Sequence, residues 1–205
     1  MVDTSIEYHS IIMRCDCIQH DAFRELPENV IIEYYKDGME EIWKDIQKEA
    51  GEFSTKTDQE TIDYFIDRFG DHKESLKEHC LFLKNKNTQQ YIGTCMAWQS
   101  YKSAMSIPIL HWLAVSDTFA GQGFARILIT LILQLFENQN PNEPIYLHTQ
   151  PSSYQAIKLY HDFGFQLCRT DTYGTAINEY EQAIKVLKQV MTKESYENLI
   201  KDSIL

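Results

Sequence analysis

The sequence lacks any apolar run long enough to cross a membrane. Its first residues, Met1-Val2-Asp3-Thr4, contain no basic segment followed by an apolar one, so no secretory signal is expected. Cysteine is sparse and scattered: Cys15, Cys17, Cys80, Cys95 and Cys168 are an odd set that reads as the reduced thiols of a cytoplasmic protein. Cys15-Asp16-Cys17 suggests a metal, but no second cysteine pair or histidine pair completes a four-ligand set, so no metal is expected. Basic charge is also short, with 19 Lys and Arg against 30 Asp and Glu and a net charge of -11. Such a field repels nucleic acid and anionic membrane, and it favours a cationic acceptor such as an amine. Low-complexity tracts, internal repeats and domain-boundary signals are missing, so the 205 residues read as one domain with one sizeable core.

What is present alternates between strand and helix patterns. Ile6–Cys17 is rich in β-branched residues and holds a short strand; Leu26-Pro27-Glu28-Asn29 is a turn before a strand at Val30–Tyr35. Met39, Ile42, Ile46 and Ala50 recur at helical spacing, with Glu40, Glu41 and Asp45 on a solvated face. Thr57 and Asp58 are caps for a second helix whose apolar face holds Ile62, Phe65, Ile66 and Phe69; its aromatics, Tyr64 included, read as core. Cys80–Lys84 and Tyr91–Gln99 form a hairpin, and Ile107–Val115 is a further strand. Phe124–Phe136 is the strongest helix, with Ile127, Leu128, Leu131, Ile132 and Leu135 on one face and a closing turn at Asn140-Pro141-Asn142. A strand at Pro144–Thr149, a helix at Ser152–Asp162 with Ala156, Leu159 and Tyr160 on one side, and a strand at Phe165–Cys168 follow. From Asn178 onward the pattern is helical, with Ala183, Val186, Leu187 and Val190 on one face. The order predicts a single α/β domain with a mixed sheet.

The most informative stretch runs from Leu110 to Arg126. An apolar strand ends at Val115, a polar turn follows, and Gly121 and Gly123 open the long helix. Free N–H groups and the dipole at a helix N-terminus bind phosphate, and glycine lets the backbone come close to it. No Lys-Ser or Lys-Thr follows, which excludes a P-loop, and the spacing misses the dinucleotide fingerprint.

Ala120-Gly121-Gln122-Gly123-Phe124-Ala125 resembles the acetyl-CoA loop of the GNAT superfamily of N-acyltransferases, Arg/Gln-x-x-Gly-x-Gly/Ala, with Ala120 in place of the first Arg or Gln. Ser153 to Phe165 is similar to that family's Asn-x-x-Ala-x-x-Leu-Tyr-x-x-x-Gly-Phe, with Ser153 in place of Asn. The resemblance implies a GNAT-like fold of six to seven strands flanked by helices, with a core over residues 28–168 and a C-terminal helical extension over 178–205. It implies acetyl-CoA as the acyl donor and a primary amine, expected to be small and cationic, as acceptor. Acetylation of a protein N-terminus or lysine, and a non-catalytic CoA-binding sensor, are the alternatives.

Through the same resemblance, Leu113, Ala114 and Val115 contact the pantetheine arm through their backbone. Ala120 through Arg126 (Gly121, Gln122, Gly123, Phe124 and Ala125 between them), Ser153 and Tyr160 complete the cofactor set. Tyr160 matches the family tyrosine near the CoA sulfur, placed to protonate the leaving thiolate. His111 matches a histidine that other members carry near the acceptor and is a candidate base; His148, ending the next strand, competes with it. His148, Thr149 and Gln150 line the pocket, and Glu52 holds an acceptor ammonium. The family closes its sheet with a strand after Phe165–Cys168, but Arg169–Ile177 is a poor strand. The tail is expected to replace that strand, cover the sheet, or pair with a second copy in a homodimer.

Overall fold

The computed structural model describes residues 5–139, 141 and 143–205. Met1–Thr4 and two residues of the turn expected after the long helix, Asn140 and Asn142, lie outside the described residues. The strands are β1 (Ile11–Cys15), β2 (Val30–Tyr34), β3 (Cys80–Asn85), β4 (Tyr91–Lys102), β5 (Met105–Val115), β6 (Ile145–Thr149) and β7 (Gln166–Leu167). The helices are α1 (Glu40–Glu49), α2 (Asp58–Phe69), α3 (Lys73–His79), α4 (Phe124–Gln139), α5 (Tyr154–Asp162), α6 (Tyr180–Val190) and α7 (Lys193–Lys201). The seven strands form a mixed sheet in the order β2-β3-β4-β5-β6-β1-β7. The chain divides into two compact units, and β4, β5 and α4 each contribute residues to both.

The first unit comprises Arg24–Trp98 and His111–Ile132. Here β2 pairs antiparallel with β3 from Val30↔Asn85 to Tyr34↔Leu81, and β3 with β4, with a register shift at Leu83/Lys84. Helix α2 starts as its sequence requires. Thr57 Oγ1 accepts the Glu60 N–H at 3.2 Å, and the Glu60 carboxylate accepts the Thr57 N–H at 2.7 Å, a closed capping box. Its buried face is Thr61, Ile62, Phe65 and Phe69, while Ile66 is 48% exposed, contrary to expectation. At about 100° per residue Ile66 falls beyond Ile62 at the edge of the arc, and Thr61 takes the place inside. On α1, Trp43 is fully buried and Ile42 only partly so. Helix α3 was not expected, because its polar sequence offers one buried apolar residue, Leu76.

The second unit comprises the described residues 5–23, Gln99–Leu110 and Leu133–Leu205. Strand β1 is its spine. It pairs antiparallel with β6 from Ile11↔Thr149 to Cys15↔Ile145, and on its other side with β7 at Met13↔Leu167 and Arg14↔Gln166. Ile11, Ile12 and Met13 are fully buried, which explains an apolar run without alternation. The question left open about the closing strand is thus answered from the N-terminus: Arg169–Ile177 forms no strand, and β1 occupies the place between β6 and β7.

The C-terminus adds one parallel bridge, Cys168↔Ile204. The helical tail is two helices, separated at Met191 and Thr192, where Thr192 Oγ1 caps α7 by accepting the Ser195 N–H at 3.3 Å. Two faces differ from the periodicity reading. On α4, Ile129, Leu133 and Phe136 are buried alongside Ile127, Leu128 and Ile132, while Leu131 and Leu135 are half-buried. On α5, Ile157 is buried with Tyr160, and Ala156 and Leu159 are half-buried. No helix among the described residues is long and apolar enough to cross a membrane.

Candidate active site

In the first unit the expected cofactor segment is a continuous strand with one residue in an unusual backbone conformation. Trp112, inside β5, has φ +50°, a left-handed conformation that a bulky aromatic adopts only under constraint. That conformation is held by α1 and by the turn after it. Gln47 of α1, fully buried, donates its Nε2–H to the Trp112 carbonyl at 3.0 Å. Phe53, itself at φ +53°, stacks on the Trp112 ring at 5.2 Å, and Trp43 meets it edge-on at 5.3 Å. His111 immediately precedes Trp112, half-buried, with its ring 6.1 Å from Phe69 and 5.4 Å from Trp112. Beyond it Ala114 is buried, and Leu113 and Val115 are half-buried.

Strand β4 comes very close to this segment. A Cβ built on Gly93 would stand 2.6 Å from the Ala114 carbonyl oxygen, so only glycine fits there. Past Val115, the Ser116 N–H donates to the Ile92 carbonyl at 2.9 Å, and the Ser116 hydroxyl donates to Glu49.

The glycine loop then opens α4. Gly121 and Gly123 have φ +73° and +88°, and a Cβ at either would meet nothing within 4 Å. Their requirement is conformational, and the space beside them is open. The first intrahelical bond runs from the Ile127 N–H to the Gly123 carbonyl at 3.3 Å. Helix geometry leaves the amides of Gly123, Phe124 and Ala125 for an outside acceptor, with the helix dipole aligned to favour an anion. Ala120 and Gln122 are exposed; Arg126 is half-buried. Glu52 lies in the turn after α1, half-buried, its N–H donating to the Gln47 carbonyl at 3.0 Å. Its charge helps raise the pKa of Tyr64, a shift caused first by burial and opposed by Arg68.

In the second unit Tyr160 is 7% exposed on α5, its ring 5.9 Å from Phe165, and its carbonyl accepts the Phe165 N–H at 3.1 Å. Ser153 is half-buried in a 3-10 turn before α5, its N–H bonded to the Gln150 carbonyl at 2.9 Å. Thr149 is buried and Gln150 half-buried. His148 is exposed, yet crowded enough by its neighbours that desolvation holds its pKa below the ordinary histidine value. Its Nε2 lies 2.8 Å from Ser10 Oγ. The parallel pairing of β5 with β6 is registered at Ile109↔Tyr146 alone among the described residues.

So the structure gathers His111, Leu113–Val115, the glycine loop and Glu52 in one unit, and His148, Thr149, Gln150, Ser153 and Tyr160 in the other. Trp112, Gln47, Gly93 and Ser10 went unread in the sequence. Only Gly93, an isolated glycine in a strand pattern, carried a signal of close backbone approach.

Residues 37–165 match the acetyltransferase (GNAT) family. The chain belongs to that family. Solved structures share its fold. The GCN5-related N-acetyltransferase of Sphaerobacter thermophilus superposes with a TM-score of 0.57 at 16% identity, over 81% of this chain and 50% of that one. A GNAT-family acetyltransferase of Colwellia psychrerythraea gives 0.55 at 12% identity, over 81% and 55%. The aminoglycoside N-acetyltransferase AAC(6')-Iy in complex with CoA gives 0.50 at 17% identity, over 76% and 96%. At these identities the likeness is one of fold. The chain spans about half the length of the Sphaerobacter and Colwellia chains. No curated protein matches the sequence. Strand β1 and helices α6 and α7 lie outside the stretch that carries the GNAT match.

Proposed function

We propose that this GNAT chain transfers the acetyl group of acetyl-CoA to a primary amine, expected to be small and cationic, by direct attack. The observation that carries the reading is the run from the constrained Trp112 through Val115 to Gly121 and Gly123 at the mouth of α4. A left-handed residue inside the strand disturbs its regular pairing, and the loop after it offers amides to a pyrophosphate. In support, the chain shares its fold with an aminoglycoside N-acetyltransferase in complex with CoA.

In this reading the loop from Ala120 to Arg126 holds the pyrophosphate, chiefly through the amides of Gly123, Phe124 and Ala125, with no side chain needed at Ala120. Ser153 lines the CoA arm. The amides of Leu113–Val115 hold the arm and the carbonyl oxygen, stabilising the oxyanion as it forms. Glu52 attracts the acceptor ammonium, and His148, Thr149 and Gln150 line its pocket. An imidazole, that of His111 or His148, takes one proton from the ammonium. The freed nitrogen attacks the thioester carbon and the C–S bond breaks. Tyr160 gives its proton to the sulfur, and the second proton shed by the nitrogen passes through solvent to restore the phenol. The buried thiols support transfer without a cysteine intermediate, since burial pushes Cys15, Cys80 and Cys168 up to about 12 and keeps them protonated. Residues 28–168 would carry catalysis, with 178–205 an extension of the same domain in a cytoplasmic enzyme that works alone or as a homodimer.

The test is thiol release from acetyl-CoA with a panel of small amines, peptides and lysine-bearing proteins. Release with small amines is expected. Tight CoA binding with no release under any acceptor would overturn the enzymatic reading in favour of a CoA sensor.

A further inference from the structure

The N-terminal segment brings a hydroxyl to His148 that the GNAT pattern does not assign, since Ser10 lies outside the matched residues. Ser10 is 6% exposed, and its Oγ is 2.8 Å from His148 Nε2. A serine hydroxyl has one hydrogen. Here that hydrogen goes to the Ile177 carbonyl, which can only accept. On its other side, therefore, the hydroxyl accepts, and His148 Nε2 must carry the hydrogen. Neutral imidazole has a single N–H, so Nδ1 keeps the free lone pair.

Ser10 is itself clamped. Its N–H donates to Glu179 Oε2 at 2.8 Å, and its carbonyl accepts the Glu179 N–H at 2.8 Å. Glu179 is the N-cap residue of α6, so the start of the C-terminal helices fixes the serine that fixes the histidine.

We propose that Ser10 is a positioning residue: it holds His148 as the Nε2–H tautomer and leaves Nδ1 to take the proton of the acceptor amine, making His148 rather than His111 the base. This rests on the acetyl-transfer reading. In the step, the N–H bond of the ammonium breaks, its electron pair stays on nitrogen for the attack, and a new N–H bond forms at Nδ1. The imidazolium then releases that proton to solvent. The charged and titratable groups around this region are Glu179 on Ser10, His9 at 3.6 Å from Glu179, and Asp171 with Arg14, Lys102 and Tyr146 at the far end of β6. Among the described residues, none of these hydrogen-bonds the His148 ring. Crowding lowers the pKa of the ring, which favours the neutral form that carries the lone pair.

The experiment uses the full chain with 15N-labelled histidine, the His148 signals being identified by their loss in His148→Gln. The wild type is expected to show His148 with Nε2 protonated, Ser10→Ala to show a tautomer mixture, and Ser10→Thr to restore the single form. Thiol release with the best amine is followed against pH in the same variants. Ser10→Ala is expected to lower kcat/KM about tenfold at pH 7. CoA affinity is expected to stay within about twofold, showing that the fold and cofactor site are intact, and Ser10→Thr is expected to recover most of the rate. In His148→Gln the plateau above the acid limb should vanish, the rate rising with the neutral fraction of the amine so that the loss shrinks toward high pH. An Nδ1–H tautomer in the wild type, or an unchanged tautomer in Ser10→Ala, overturns the positioning role. A His148→Gln profile that keeps the wild-type plateau and runs parallel to it overturns His148 as the base. If no amine supports release, the acetyl-transfer reading and the base role fall together, while the spectra still decide what Ser10 does to the ring.

Discussion

Replacing Gly93 by alanine should injure stability and CoA binding together, because of where the new methyl would stand. It would lie 2.6 Å from the Ala114 carbonyl oxygen, 3.0 Å from Leu128 Cδ1 and 3.3 Å from Val115 Cα. The leucine tip can rotate away, but the carbonyl belongs to β5 and moves only with the strand. The strands are also tied at this level by the Ser116 N–H to Ile92 carbonyl bond of 2.9 Å. Overpacking against backbone costs about 1–3 kcal/mol. At roughly 2–4 °C per kcal/mol for a chain of this size, a mid-range cost lowers Tm by about 4–8 °C. Displacing the amides of Leu113–Val115 should weaken CoA about tenfold, or about 1.4 kcal/mol. The control is Gly123→Ala, where φ is +88° and no atom lies within 4 Å of the added methyl. There the left-handed backbone costs about 1–2 kcal/mol, and CoA affinity should fall at least as far as in Gly93→Ala. Calorimetric unfolding and CoA titration measure both quantities. A Gly93→Ala protein with wild-type Tm and CoA affinity would refute the argument from close approach. A Gly123→Ala protein that loses Tm but binds CoA normally would show that the phosphate does not sit at this loop.

Three further outcomes follow from single contacts. Tyr160→Phe should lower turnover at least about tenfold with CoA affinity little changed, because only the proton to the sulfur is lost; steady-state kinetics with CoA titration checks it, and unchanged turnover removes Tyr160 from the mechanism. Asp171→Ala leaves Lys102 and Arg14, 2.6 and 3.2 Å from the carboxylate, without their shared anion. Breaking a fully buried pair costs about 3–5 kcal/mol, and because the Lys102 side chain is 34% exposed, a smaller cost of about 2–3 kcal/mol is expected here. Burial raises the Asp171 pKa, but the bonds from Lys102 and Tyr146 outweigh it and set it below the ordinary value. The folded state therefore resists protonation more than the unfolded chain. Its contribution is complete above about pH 3.9, the unfolded value, and is lost as pH falls through the folded value. The Tm gap between wild type and Asp171→Ala should accordingly close in acid, and a gap constant with pH contradicts the linkage. Thr57→Ala opens the capping box of α2 and should cost about 1 kcal/mol in chemical denaturation with no effect on CoA affinity.

Much of this was legible because the signals were local. The capping residue Thr57, the hairpin turn before Tyr91 and the glycines before Phe124 each declare an element within a few residues. What escaped was set by distant contacts. Trp112 has nothing in its neighbours to announce a positive φ; the conformation is imposed by Gln47 and Phe53 from another part of the chain. Likewise Ile66 and Thr61 exchange places because an arc of helix, and not hydrophobicity alone, selects what is buried. The stretch Ile6–Cys17 announced a short strand, but strand order is a property of pairing over more than a hundred residues, and no local pattern encodes it.

That order has a chemical consequence. Strand β1 lies outside the GNAT-matched stretch, yet it separates β6 from β7 and carries contacts to the residues of β6 through side chains at both ends. Ser10, just before it, meets His148, while Arg14 meets the Asp171 carboxylate that also accepts the Tyr146 hydroxyl. Alternate β6 residues thus answer to one borrowed strand. Because Asp171 sits in the loop that stands where a closing strand was expected, the exchange of strands is not neutral. It frees residues 169–177 to reach Lys102 and Tyr146 with Asp171, and it leaves Ile177 to take the Ser10 hydrogen. A strand contributed by the C-terminal segment itself would place these groups in a ladder and leave His148 without the acceptor that fixes its tautomer. The N-terminal strand therefore does more than complete the sheet: it sets the protonation geometry of the histidine proposed to start the reaction.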